Sequence, residues 1–317
     1  MQTLEGTPAL VHCGPFANIA HGNSSVIADK LALKLVGKDG FCVTEAGFGA
    51  DIGGEKCFDI KCRGTGLEPR CVVLVATVRA LKLHGGAPPV VAGKPTPAEY
   101  SSEDLVTLKR GCANLRHHVQ CVSQKFGIRC VVAVNKFVGD TDAELELVKA
   151  EAMAEGAFRA VTADHWARGG EGAVDLAKGV MAACADARQH ATSFKHLYAL
   201  DVSVKEKVFA VCSEIYKAGN VVYTELAEQQ IAEYERLGLG QLPVCIAKTQ
   251  YSLSTDPKLK GVPTGHTVTV REVRASIGAK FLYMLCGDIM TIPGLPTRPG
   301  FVDIDLDTES GRIIGLF

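Results

Sequence analysis

The sequence predicts an α/β chain built from mostly parallel sheets with flanking helices, and two observations lead there. Short runs rich in β-branched residues alternate with long segments of helical period. Most of those runs are apolar throughout rather than alternating, as strands covered on both faces should be. With 317 residues, 47% of them hydrophobic, the chain is long enough for two or three compact domains.

The first strand candidates in chain order are "ALVHCG" (9–14) and "FCVTEA" (41–46). The second feeds "TEAGFGADIGGEK" (44–56), where Gly49 and Gly54 have the glycine spacing of a phosphate loop. Glu55, however, stands where that pattern needs lysine, Lys56 comes one place late, and Cys57 replaces the hydroxyl that would hold magnesium. The glycines still allow close approach of backbone N–H groups to an anion, with an ordinary glycine-rich turn as the alternative.

"CVVLVAT" (71–77) reads as the next strand, and the Pro-rich stretch 85–100 as a linker. Over 101–126 the residues Leu105, Leu108, Cys112, Leu115, Val119 and Val122 form one helical stripe, with Ser101 and Asp104 offering a capping-box start. "CVVAVNK" (130–136) is a buried strand ending in polar residues. Ligands gather beyond the carboxyl ends of strands in open parallel sheets, so Asn135, Lys136, Phe137 and Asp140 stand where binding groups belong. Thr141 with Glu144 caps the following helix, and "FRAVTA" (158–163) leads to the lone tryptophan, Trp166. After a polar stretch at 187–198, Ser203 with Glu206 starts a helix that buries Val204, Val208, Val211 and Ile215 and stops at Gly219. "PVCIAKT" (243–249) is the last strand candidate, and the Pro- and Gly-rich tail from 291 is expected to wrap a surface.

A formal net charge of -1 gives no electrostatic footprint for nucleic acid or an anionic membrane. No apolar run approaches the roughly 20 residues that span a bilayer, and the first residues do not read as a targeting peptide, so a cytoplasmic protein is expected. Twelve cysteines without a CxxC pair read as reduced core thiols, with no metal site among them. His117 and His118 are expected to face solvent, and no catalytic triad is visible. Phe137 and Trp166 each have a packing alternative. If they reach one pocket, they form two apolar plates suited to a pterin, flavin or base.

Taken together, "GPFANIAHGNSS", "TEAGFGADIGGEK", "VVLVATVRALKLHGG", "VNKFVGDTDAELEL", "WARGGEGAVDLA", "AKTQYSLS" and "PGLPTRP…DIDLD" resemble, in order, the C-terminal part of formate–tetrahydrofolate ligase. The resemblance implies an incomplete P-loop-NTPase-like nucleotide domain over 1–95, a folate-binding α/β domain over 96–190 and a C-terminal α/β domain over 191–317. It implies ATP-dependent formylation of tetrahydrofolate to 10-formyltetrahydrofolate by way of formyl phosphate, with ATP and Mg as the accompanying cofactors. Phe137 and Trp166 match the aromatics that sandwich folate in that family, while Phe48 and Gly49 match a loop lining the phosphate and formate site. The family's true phosphate loop lies upstream of the matched region, and no GxxxxGK followed by Ser or Thr occurs in these 317 residues.

This chain also departs from the family pattern at Cys57, His266, Lys280 and Met284. Lys280 stands where the family has glycine, a large change if the backbone there has positive φ. Three readings follow: a ligase domain that works with a nucleotide-binding half, a catalytically inactive folate-binding or interaction module, and an unstable product of a partial reading frame. The expected partners are small-molecule substrates, then a second copy or a full-length homologue; the expected compartment is the cytoplasm, with the mitochondrion as alternative.

Overall fold

Seven residues of branched aliphatic character, Cys71–Thr77, form β1 in the computed structural model, which describes residues 1–91, 94–190, 193–287, 289, 297–310 and 312–315. β1 pairs in parallel with β2 (Arg129–Asn135), and β2 with β3 (Arg159–Ala163), giving a three-stranded sheet in sequence order. β2 is the central strand. Its five inner residues are buried, which explains the unbroken apolar run. Helices Val78–His84, Leu105–Gln120, Asp142–Ala154 and Val174–Gln189 connect and flank these strands.

A second, mixed sheet contains β4 (Asn220–Tyr223), β5 (Val244–Ala247), β6 (Thr267–Ser276) and β7 (Phe281–Cys286) in the order β4-β6-β7-β5. β4 runs parallel to β6 and β5 parallel to β7, while β6 and β7 form an antiparallel hairpin. β8 (Asp305–Asp307) and β9 (Arg312–Ile314) pair antiparallel near the end. Four of the six described pairings are parallel, and the expected α/β class is found. One contiguous apolar cluster, including Leu108, Val132, Val148, Val208 and Met284, reaches from the first sheet to the second.

Two of the three expected helix starts hold in full. Thr141 with Glu144 and Ser203 with Glu206 form reciprocal capping boxes, each freeing two backbone donors from desolvation. The third differs. Ala98–Tyr100 makes a separate single turn, and Asp104 rather than Ser101 caps the next helix, accepting the N–H groups of Val106 and Thr107 at 3.1 and 2.9 Å.

Other expectations are corrected. "ALVHCG" and "FCVTEA" form no strand, Cys13 being left-handed at φ 65°, and among the described residues they join no ladder beyond the single bridge of Ala46 with Asn23. They find no apolar face to bury, and Val11 and Val43 stay exposed. Gly219 is not a left-handed cap: Lys217 takes that conformation at φ 60°, and Gly219 is instead the point of close approach to Gly265, whose carbonyl oxygen would lie 3.0 Å from an added Cβ. His117 is buried and donates from Nε2 to the Ile215 carbonyl at 2.7 Å, and His118 has its Nδ1 buried as well. His117 thus faces the end of the helix Val204–Glu214, while His118 faces a cavity beside Asp51 and His84. Parts of the expected tail, 291–296, 311, 316 and 317, lie outside the described residues.

Candidate functional site

Thr77, Asn135 and Ala163 stand side by side in register at the carboxyl ends of β1, β2 and β3. Adjacent strands lie about 4.8 Å apart, so this rim is roughly 10 Å wide. The Lys136 N–H donates to the Ala163 carbonyl at 3.0 Å, continuing the β2–β3 contact one step past the strands.

Phe137 follows at once. Its N–H donates to the Asp140 carboxylate at 2.8 Å and its carbonyl accepts the Asp140 N–H at 3.1 Å, so one acidic residue clamps its backbone from both sides. Gly139, at φ 99°, makes the tight return possible. The Arg79 guanidinium lies 4.8 Å from the ring centroid, a cation–π contact that fixes one face. The ring remains 40% exposed, so it is not a core side chain.

Trp166 sits three residues past the end of β3, in the short helix His165–Arg168. It is 91% exposed and anchors nothing among the described residues. Its loop is nonetheless well defined. The Asp164 N–H donates to the Gly172 carbonyl at 3.0 Å, and the backbones approach so closely that a Cβ on Gly172 would lie 2.2 Å from the Asp164 carbonyl oxygen. The fold thus brings two exposed aromatics to adjacent positions along one sheet edge.

The glycine loop reaches the same edge from the other side. Phe48 has φ 60°, a conformation that strains a residue with a side chain and is kept only where the surroundings impose it. They do: Gly47 donates to the Gly22 carbonyl at 3.0 Å, and Gly53 packs so tightly on Gly47 that a Cβ would fall 1.8 Å from the Gly47 carbonyl oxygen. The Phe48 ring meets Phe16 edge-on with centroids 5.8 Å apart. Gly49 then lines a cavity of about 250 Å³ beyond the end of β1, together with Asp51, Thr77, His84, Asn114 and His118. A larger, shallower groove of about 580 Å³ lies against the helix Val204–Glu214 and β4, lined by Phe209 and Tyr223, but it gathers neither the strand-end aromatics nor the glycine loop.

Lys56 shows why this loop is not a phosphate loop. Its ammonium is fully buried and donates to the carbonyls of Ala17 and Asn18 at 2.7 Å each, and it is not among the residues lining the cavity. The cation beside the cavity is Lys248, just past β5, which donates to Asp51 at 3.0 Å and to the Thr249 and Ser252 carbonyls at 3.1 and 2.5 Å, with the Tyr216 ring 4.7 Å away. Burial alone would raise the Asp51 carboxyl. Lys248 and the neighbouring groups more than offset that and hold it below its ordinary value. Burial pushes His118 down to about 4, so the cavity presents it as a neutral imidazole at physiological pH. Among the described residues, no group of three or more His, Cys, Asp or Glu is placed to hold a metal ion.

Sequence reasoning selected Phe48, Gly49, Asn135, Lys136, Phe137, Asp140 and Trp166 and did not select Arg79, Asp51, His118 or Lys248, which the structure sets close to them. Lys248 follows a strand end, the signal that singled out Asn135 and Phe137. Its partner Asp51 is 197 positions away, a pairing no local pattern carries.

The profile of the family described as formate–tetrahydrofolate ligase matches residues 1–317. A formate–tetrahydrofolate ligase of Spinacia oleracea is 55% identical over 316 residues, covering 100% of this chain and 49% of that protein. The cytoplasmic C-1-tetrahydrofolate synthase of Mus musculus is 55% identical over 317 residues, with 100% and 33% coverage. The monofunctional mitochondrial C1-tetrahydrofolate synthase of the same species is 54% identical, with 100% and 32% coverage. This chain therefore spans about half the length of the first relative and about a third of the other two.

Proposed function

Because this chain belongs to the formate–tetrahydrofolate ligase family, we propose that it supplies the tetrahydrofolate-binding part of an ATP-dependent ligase that makes 10-formyltetrahydrofolate. The observation that carries this reading is the pair of exposed rings, Phe137 and Trp166, just past the carboxyl ends of neighbouring parallel strands. A planar pteridine and its aminobenzoyl arm gain both area burial and offset stacking from two such rings, a preference that a sugar or an aliphatic acid would not share.

Phe48 and Gly49 border the phosphate and formate end of the site. The nucleotide would supply the phosphoryl group that turns formate into a formyl donor. Gly49 lines the cavity, the neutral His118 adds no charge to it, and Asp51, whose carboxylate lies against Gly49 and is neutralised by Lys248, holds the loop in place. Asp140 and Arg79 orient Phe137. Folate binding centres on residues 96–190, with β1, from residues 1–95, contributing the adjoining strand; residues 191–317 brace the glycine loop through Lys248. Twelve free cysteines suit a reducing compartment, the cytosol foremost and the mitochondrial matrix as alternative. The proposed macromolecular partner is a second copy or a longer homologue carrying a phosphate loop.

No GxxxxGK with Ser or Thr occurs in these residues, and Lys56 is committed to carbonyl groups, which favours a second reading in which the chain binds folate without turning over. One experiment separates the two. Formate, ATP, Mg and tetrahydrofolate are incubated with the chain, alone and with a polypeptide bearing the family's phosphate loop. Product in the mixture, with little from the chain alone, supports the ligase reading. Tight folate binding with no product in either condition leaves the binding module, and no folate binding at all refutes both.

A further inference from the structure

The helical run after Gly49 contains two π-helical stretches, Ala50–Gly54 and Cys57–Cys62. Backbone hydrogen bonds of this kind run from i to i+5, and with roughly 4.4 residues per turn Cys57 and Cys62 stand a little over one turn apart, about 50° round the axis from each other. Regular α-helix would put the second side chain about 140° round the axis from the first. Both cysteines are free thiols, and each shifts the other's titration. We propose that Cys57 and Cys62 form a peroxide-sensitive dithiol that closes to a reversible disulfide within the helix, with Cys57 oxidised first. This inference is independent of the folate reading.

Access and electrostatics give the pair an order. Cys57 is half-buried, whereas Cys62 is buried, so an oxidant from solvent meets Cys57 first. The Cys62 thiol, aided by Lys61 and opposed by burial, holds the Cys57 thiol below its ordinary value, which favours the nucleophilic thiolate. Cys62 is pushed up by the Cys57 thiol, by burial and by the Cys57 charge. The first and third of these causes vanish once Cys57 is oxidised to a neutral species, which frees Cys62 to react.

The steps balance with hydrogen peroxide as the oxidant. The Cys57 thiolate attacks one peroxide oxygen, an S–O bond forms, the O–O bond breaks, and hydroxide leaves to give the sulfenic acid. Cys62, losing its proton, attacks the Cys57 sulfur; the S–S bond forms, the S–O bond breaks and a second water departs. Two thiols and one peroxide become one disulfide and two waters. The product cross-links the helix that carries Lys56, Asp59 and the buried Lys61–Asp29 pair.

The test uses the full 317-residue chain, folded and treated with hydrogen peroxide, then alkylated and digested to a peptide containing both cysteines. The expected peptide is about 2 Da lighter, carries no alkyl label, and takes two labels after dithiothreitol. In Cys62→Ala, dimedone should trap a sulfenic acid at Cys57; in Cys57→Phe, Cys62 should stay reduced. The proposal is overturned if both thiols remain alkylated at peroxide doses that oxidise Cys13, or if Cys57 passes to the sulfinic acid while Cys62 keeps its label.

Discussion

Replacing Lys248 by methionine should be among the most damaging single changes outside the apolar core. Its ammonium is fully buried and serves three acceptors, the Asp51 carboxylate at 3.0 Å and the Thr249 and Ser252 carbonyls. Methionine fills the volume but leaves Asp51 as a buried charge without a counter-ion, a loss of about 3–5 kcal/mol. The loss should depend on pH. In the parent chain Asp51 is held below its ordinary 3.8, so its contribution is complete above that value and fades only as the pH falls through the depressed one. In the variant, burial acts unopposed and raises the carboxyl, so stability falls as the pH rises above about 4.

The difference between the two proteins should therefore widen from about 2 kcal/mol at pH 5 to about 4 kcal/mol at pH 8. Urea unfolding followed by far-UV circular dichroism measures it; Trp166 fluorescence does not, because that ring is 91% exposed in the folded state. Adding Asp51→Asn should return at least 1 kcal/mol at pH 8 by removing the stranded charge. A loss below about 1 kcal/mol at pH 8, or one that does not change with pH, would refute the argument.

Other changes test separate parts of the structure. Lys280 closes the β6–β7 hairpin at φ 60°, so Lys280→Gly should stabilise by about 0.5–1 kcal/mol after the extra freedom of glycine in the unfolded chain is subtracted; a lower urea midpoint would contradict this. Glu55 is fully buried with both carboxyl oxygens unpartnered, and burial, then the Asp59 charge, raises it well above its ordinary 4.5. A raised acid contributes fully below its unfolded value and loses that contribution as the pH rises, so Glu55→Gln should be near neutral at pH 5 and stabilising by about 1 kcal/mol at pH 8, and a gain that shrank with pH would count against it. Gly172→Ala should destabilise by about 1–3 kcal/mol and weaken folate binding, because the new methyl collides with the Asp164 carbonyl; unchanged amide exchange over 164–172 would show that the close approach is not maintained in solution.

Local signals were legible where chemistry and sequence spacing coincide. Thr141 with Glu144 and Ser203 with Glu206 announced their helices because a capping box is complete within four residues. The strand ends next to Phe137 and Trp166 were legible because an apolar strand that ends among polar residues marks the rim of a parallel sheet. β6 alternates exposed and buried residues from Thr267 to Val270, a period-two pattern visible in "TVTV" but obscured by the bulge between Val270 and Glu272. What stayed hidden depends on distant partners. Lys248 and Asp51 meet only after both sheets have packed, and "FCVTEA" has strand composition but no neighbour to pair with. The π-helical winding of 57–62 likewise lies in backbone geometry rather than residue type.

Titration of this chain with tetrahydrofolate, read by the emission of its single tryptophan, bears most directly on the site. If the pteridine stacks between the two rings, the emission of Trp166 is quenched and shifts to shorter wavelength. Phe137→Ala should then weaken the affinity about tenfold, in keeping with the 0.5–1.5 kcal/mol of one aromatic pair plus its lost area. Unchanged emission at saturating ligand, or equal affinity in the Phe137→Ala variant, would mean that these residues do not form the folate site.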